Sequence, residues 1–136
     1  MKSSVFKQVV PVDWEFPEEA AVLCLSFAGP SGQGVDHTGW LEQLTPDVSP
    51  VRRRMALEAV QRLFAKGYGA ALTRWVLEDR APRWSWRRRQ HVLQVLTDWA
   101  VACGAPPEQL RVLFHLEQLG QRRRRDAGRY GDRPPR

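Results

Sequence analysis

Three stretches of this chain carry the same punctuation: an opening serine or proline, apolar residues at three-four spacing, and a closing glycine. Ser49-Pro50 precedes Met55, Ala56, Ala59, Val60, Leu63 and Phe64, with Gly67 beyond. Ser85 precedes Val92, Leu93, Leu96, Trp99, Ala100 and Cys103, with Gly104 beyond. Pro107 precedes Leu110, Leu113 and Phe114, with Gly120 beyond. A serine hydroxyl satisfies free N–H groups at a helix start, proline is pre-set for the first turn, and glycine takes the left-handed conformation that ends a helix. Three-four spacing places the apolar residues on one helical face. Helices are therefore predicted over 50–66, 85–103 and 107–119. A shorter one carries Leu72, Trp75 and Val76 and ends before Pro82, which cannot donate to a helical ladder. Short connections between such helices make the fold class mainly α, a compact four- to five-helix bundle.

The chain ahead of these helices reads differently. Val10-Pro11-Val12-Asp13-Trp14-Glu15-Phe16 alternates apolar and polar side chains, the period of a half-buried strand, and its proline confines it to an edge. This makes a short N-terminal extended segment. Pro17-Glu18-Glu19 then opens a helix over 17–28 with acids at its positive end and Gly29 as its stop. The run 21–27 is apolar all round, so a buried strand is the alternative reading. Residues 29–34, with Pro30, Ser31 and three glycines, read as a loop. A short helix over 37–44, capped by Asp36, completes this section.

Charge is distributed unevenly. The 136 residues hold 21 basic and 15 acidic side chains, a formal net charge of +6. Residues 1–48 have two lysines against seven acids, residues 49–120 twelve basic against six acidic, and residues 121–136 seven arginines against two aspartates. The chain thus divides into an acidic N-terminal section, a basic helical domain and an Arg-rich tail. The tail has no apolar periodicity to offset the entropy of ordering, and it is expected to be disordered when free. Such polarity points to an anionic partner for the middle and tail, nucleic acid above all, with DNA preferred over RNA. The chain has no Ile or Asn, and 18 of its 21 basic residues are Arg. That usage reflects a GC-rich coding sequence, so the positions of the arginines carry more information than their identity.

Two positions stand out. Ser49-Pro50-Val51-Arg52-Arg53-Arg54 and Ser85-Trp86-Arg87-Arg88-Arg89 each place three arginines directly after a capping serine. A helix N-terminus is partly positive, and each cation there is unfavourable by roughly 0.3–1 kcal/mol at low salt. A phosphate reverses that sign, because free N–H groups and guanidinium forks then face an anion together. The candidate nucleic-acid-binding residues are Arg52, Arg53, Arg54, Arg83, Trp86, Arg87, Arg88 and Arg89, with Arg122, Arg123, Arg124 and Arg125 of the tail. The competing reading pairs these arginines with Glu58, Glu78, Asp79 or the acidic section. If they serve phosphates alone, replacing Arg52, Arg53 and Arg54 with Gln leaves the fold intact or slightly more stable. Among six tryptophans, Trp75 and Trp99 belong to apolar stripes and the core, and Trp14 and Trp40 to core or interface. Trp84, just before the Ser85 cap, suits a hydrophobic staple. Trp86 is open between that role and stacking on an unpaired base.

Other chemistry is poorly represented. Gly29, Gly32 and Gly34 lack phosphate-loop spacing, and His37, His91 and His115 form no metal motif. Cys24 and Cys103 lie in apolar runs and read as small buried hydrophobes. No catalytic residue, cofactor or metal ligand is assigned. No apolar stretch has the length of a bilayer span and no signal peptide is evident, so a cytoplasmic protein without membrane association is expected. Two alternatives to nucleic-acid binding are kept. One is a helical subunit of a larger assembly, whose acidic section docks on a basic protein partner. The other is a small metal-dependent enzyme using Asp13, Glu15, Glu18 and Glu19. From Ser49 to Pro107 the order is helix, glycine turn, short helix and a Ser-capped basic helix ending Leu96-Thr97-Asp98-Trp99-Ala100. This layout resembles the helical core-binding domain of tyrosine recombinases, and the resemblance implies a DNA-clamping module without strand cleavage, since no active-site residue carries over.

Overall fold

A computed structural model describes the backbone of residues 14–28 and 37–131, and the side chains of residues 14–28 and 38–119. Among these residues the protein is helical and contains no strand. The helices are α1 (Phe16–Ala28), α2 (His37–Leu44), α3 (Pro50–Ala65), α4 (Gly69–Trp75), α5 (Trp86–Cys103) and α6 (Pro107–Gly131). They fall into two compact units, Met1–Arg80 and Ala81–Arg136, a division that cuts across the three charge sections.

In the first unit α1 is the central element, packed against α2, α3, α4 and the turn after α4. Its apolar run from Ala20 to Cys24 is buried throughout. A helix apolar on every side is what a position among several neighbours requires, which resolves the helix-or-strand ambiguity of 21–27 in favour of helix. Of the extended segment predicted over 10–16, residues 10–13 lie outside those described. Trp14 and Glu15 have no regular structure and Phe16 already begins α1. Glu15 takes the N-cap position, where Glu18 Oε1 accepts from its backbone N–H at 2.8 Å, so the local signal is a helix start rather than a strand. Asp36 and the loop over 29–34 also lie outside the described residues.

Ser49 caps α3, its hydroxyl accepting from Arg52 N–H at 3.2 Å. Gly67, at φ +91°, ends it. Tyr68 N–H reaches Leu63 O and Gly67 N–H reaches Phe64 O, the paired bonds that satisfy the last carbonyls of a helix. Ala56 and Val60 are buried from the expected stripe of α3, but Met55 is 60% exposed. After α4 the chain widens into a π-helical turn, Val76–Arg80, and then tightens into a 3₁₀ turn, Ala81–Arg83. Pro82 lies in the latter, where a regular α-helix would have needed its missing N–H.

The second unit is built on a helical hairpin, α5 packed against α6. Ser85 caps α5 by accepting from Arg88 N–H at 3.1 Å, and Gly104, at φ +85°, stops it. Val92, Leu96, Trp99 and Ala100 are buried as expected, whereas Cys103 is exposed at the last turn. Two expectations for α6 are corrected. First, it does not stop at Gly120, since the backbone is helical through Gly131. The backbone of 121–131 continues α6, and residues 132–136 lie outside those described. A helix-interior glycine costs about 1 kcal/mol relative to alanine, and good helix formers after it can absorb that cost. Second, the buried face is Gln109, Val112 and Leu116, while Leu110 and Phe114 are 49% and 63% exposed. The apolar residues of α6 cover more than one face, so three-four spacing alone admits two buried stripes.

Candidate nucleic-acid interface

The two arginine clusters have different fates. In the first unit Arg52 is turned toward the start of α1. Its Nη1 donates to Glu18 Oε2 at 2.5 Å and its Nη2 to Glu18 Oε1 at 2.9 Å, a two-pronged pair with Glu15 a further 3.8 Å contact. The Glu18 side chain is only 7% exposed. Arg53 bonds backbone instead. Its Nε donates to Thr45 Oγ1 at 3.0 Å, and its Nη2 to Thr45 O at 3.1 Å and Val48 O at 2.7 Å, fastening α3 to the end of α2. Its side chain is 12% exposed. Arg80 repeats the first arrangement, with Nε donating to Glu19 Oε2 at 2.7 Å and the guanidinium 5.6 Å from the centre of the Trp75 ring. Trp75 in turn lies 6.1 Å from Trp14. Arg52 and Arg53 are thus committed within the protein, which removes both from the expected interface. Of this cluster Arg54 alone is exposed.

Sequence reasoning named the acidic section as one possible partner for these arginines but did not single out Glu18 and Glu19. The available signal was two acids at the start of an all-apolar helix, since carboxylates carried into a core need cationic partners. Glu18 and Glu19 face Arg52 and Arg80. Among the described residues no three His, Cys, Asp or Glu side chains are close enough to hold a metal. Asp13 lies outside the described residues.

The second cluster largely faces solvent. Arg83, Trp86, Arg87 and Arg88 are exposed. Arg89 is corrected: it is buried, and its Nη2 donates to Trp84 O at 3.0 Å. It occupies the fourth position of α5, one turn in, where its direction leads to the unit's interior rather than to solvent. Trp84 is buried in the staple position and Trp86 is 48% exposed. Trp99 is buried, as expected. Among the described residues Arg54, Arg83 and Arg87 form no ion pair.

The hairpin adds a feature that composition alone does not reveal. A connection of three residues, 104–106, makes α5 and α6 antiparallel. Leu93 and Thr97 of α5 line one groove with Leu113 and Glu117 of α6, which sets the register. At about 1.5 Å rise per residue in both helices, the backbone of 122–125 comes level with the first turn of α5. The side chains of Arg122, Arg123, Arg124 and Arg125 lie outside the described set. Between residues 81 and 97 the sequence has no Asp or Glu, and none occurs between 118 and 125. One end of the hairpin thus gathers basic sequence from two separate helices.

No known protein family, curated protein or solved structure matches the chain. The expected likeness of 49–107 to a recombinase core-binding domain therefore finds no support in these comparisons, and no residue role is carried over from it.

Proposed function

We propose that the protein binds nucleic acid through the basic end of the α5–α6 hairpin, by contact with the phosphate backbone. The observation that carries this reading is the exposure of Arg83, Trp86, Arg87 and Arg88 together at the start of α5. Guanidinium groups left in water beside a helix start are electrostatically unfavourable until an anion arrives. Contacts of this kind hold a protein on phosphates without reading sequence. Arg52, Arg53 and Arg89, all held internally, are no part of the proposed surface. The protein is expected to co-purify with nucleic acid and release it in high salt. On a duplex, log affinity should fall with log salt at a slope of about −0.9 for each phosphate neutralised. Binding that barely responds to salt overturns the reading.

A second reading, a subunit of a larger assembly, draws on a different observation. Leu110 and Phe114 present apolar surface one helical turn apart on α6. The acidic section is less suited to docking a basic partner, because Glu18 and Glu19 already hold Arg52 and Arg80. Native mass measurement separates an obligate subunit from a free binder.

A further inference from the structure

We infer that the ligand class of this surface is single-stranded nucleic acid, with Trp86 as the platform on which an unpaired base stacks. The inference rests on the nucleic-acid reading and names which form the site takes. Four of the six tryptophans have internal positions that account for them. Trp14, Trp84 and Trp99 are buried, and Trp75 is half-buried between Trp14 and Arg80. Trp86 differs, with about half of its surface in water and no staple role left to fill, because Trp84 holds that position.

Its surroundings narrow the occupant. Arg83, Arg87 and Arg88 are exposed beside it in sequence, and no carboxylate occurs within ten residues on the C-terminal side. An apolar protein partner has no use for exposed arginines around its contact. A duplex offers phosphates to the arginines but keeps its base faces stacked inside, so the indole finds nothing to cover. A single strand offers both at once. Its phosphates meet the guanidinium groups and a splayed base covers the ring, the pairing of cationic groove and aromatic platform that sequence-tolerant single-strand binders use. Every base has a π-face, so low sequence selectivity follows. The stacking contact uses no 2′-hydroxyl, so DNA and RNA strands are bound through the same chemistry.

The test compares a fluorescein-labelled dT oligomer of about 16 nucleotides, a length suited to single-strand sites, with a duplex of equal length. Anisotropy is read on the full chain at fixed low salt. Trp86→Ala should weaken binding of the single strand about 5- to 100-fold and change duplex affinity little, with Trp86→Phe retaining most of the single-strand affinity. Quenching of tryptophan fluorescence by the single strand should be smaller in Trp86→Phe than in the wild type. Arg87→Gln with Arg88→Gln should weaken both ligands. If Trp86→Ala leaves single-strand affinity unchanged while the arginine variant weakens both, stacking is wrong and phosphate binding stands. A wild-type preference for the duplex also overturns the inference. If the wild type retains neither ligand at low salt, the nucleic-acid reading fails with it. Trp86 is exposed, so an unchanged melting temperature is expected and keeps loss of binding distinct from loss of fold.

Discussion

Arg52 sits where a helix dipole opposes a cation, yet its fork holds both oxygens of a nearly buried Glu18. The pair reverses the expectation drawn from sequence, that removing this charge leaves stability unchanged or raised. Breaking a buried ion pair strands the other charge, so Arg52→Gln should destabilise the protein by about 2–3 kcal/mol, discounted from the fully buried case because the arginine is partly in water. A double-mutant cycle with Glu18→Gln, measured by urea unfolding, should return a coupling of the same sign, and additive effects would show that the contact contributes nothing. At the two cysteines residue chemistry follows exposure rather than neighbourhood in sequence. Burial pushes the Cys24 thiol above its ordinary 9.0, because the low-dielectric interior penalises the thiolate. The folded state then holds that proton more tightly than the unfolded chain, so this group's contribution is intact below the ordinary thiol range and is lost as pH rises above it. Cys103 is exposed. A thiol reagent at neutral pH should label Cys103 in the native protein and reach Cys24 only on unfolding. Equal labelling of both without denaturant would contradict the packing of α1.

Elements are decided by where their ends fall. Gly104 and Gly120 occupy equivalent places in sequence, each after an amphipathic run, but only Gly104 stops its helix. Gly104→Ala forces a Cβ into the left-handed region and should cost about 1 kcal/mol. Gly120→Ala, inside a continuous helix, should stabilise by about 0.5–1 kcal/mol and raise helicity by circular dichroism. A loss of stability at both positions would place the end of α6 at Gly120 after all. The two faces of α6 can be separated in the same way. Leu116→Ala, at a fully buried position, should cost about 3 kcal/mol, while Phe114→Ala, in solvent, should stay within about 0.5 kcal/mol. Thermal melts distinguish them, and comparable losses would mean that both faces are covered.

Over the whole molecule, charge divides between the two units differently from its division along the sequence. Residues 1–80 hold nine basic and ten acidic side chains, while 81–136 hold twelve arginines against five carboxylates. The unit containing the acidic section is close to neutral because its acidic and basic side chains nearly balance in number, and the excess positive charge belongs to the other unit. The salt dependence of nucleic-acid binding should follow that division. Each Gln replacement among Arg83, Arg87 and Arg88 should flatten the log–log salt slope by about 0.7–0.9. Replacing Arg62 or Arg74, exposed on the first unit, should leave the slope unchanged. Equal flattening from both sets would indicate diffuse attraction to net charge rather than a defined surface.

The helices α3 and α5 were legible in the sequence by itself, because caps, stops and apolar spacing act within a few residues and depend on no distant partner. Ser49, Ser85, Gly67 and Gly104 do in the structure what their local chemistry requires. Which apolar face of α6 is buried, whether Gly120 ends a helix and which arginines meet solvent were decided only by tertiary structure. Arg52 and Arg87 look alike in sequence, each placed in the first turn of a serine-capped helix. They differ because Glu18, 34 residues away along the chain, lies beside Arg52, whereas Arg87 pairs with no carboxylate among the described residues. Long-range pairing of buried charge has no local signature, and so the candidate surface was narrowed by packing rather than by motif.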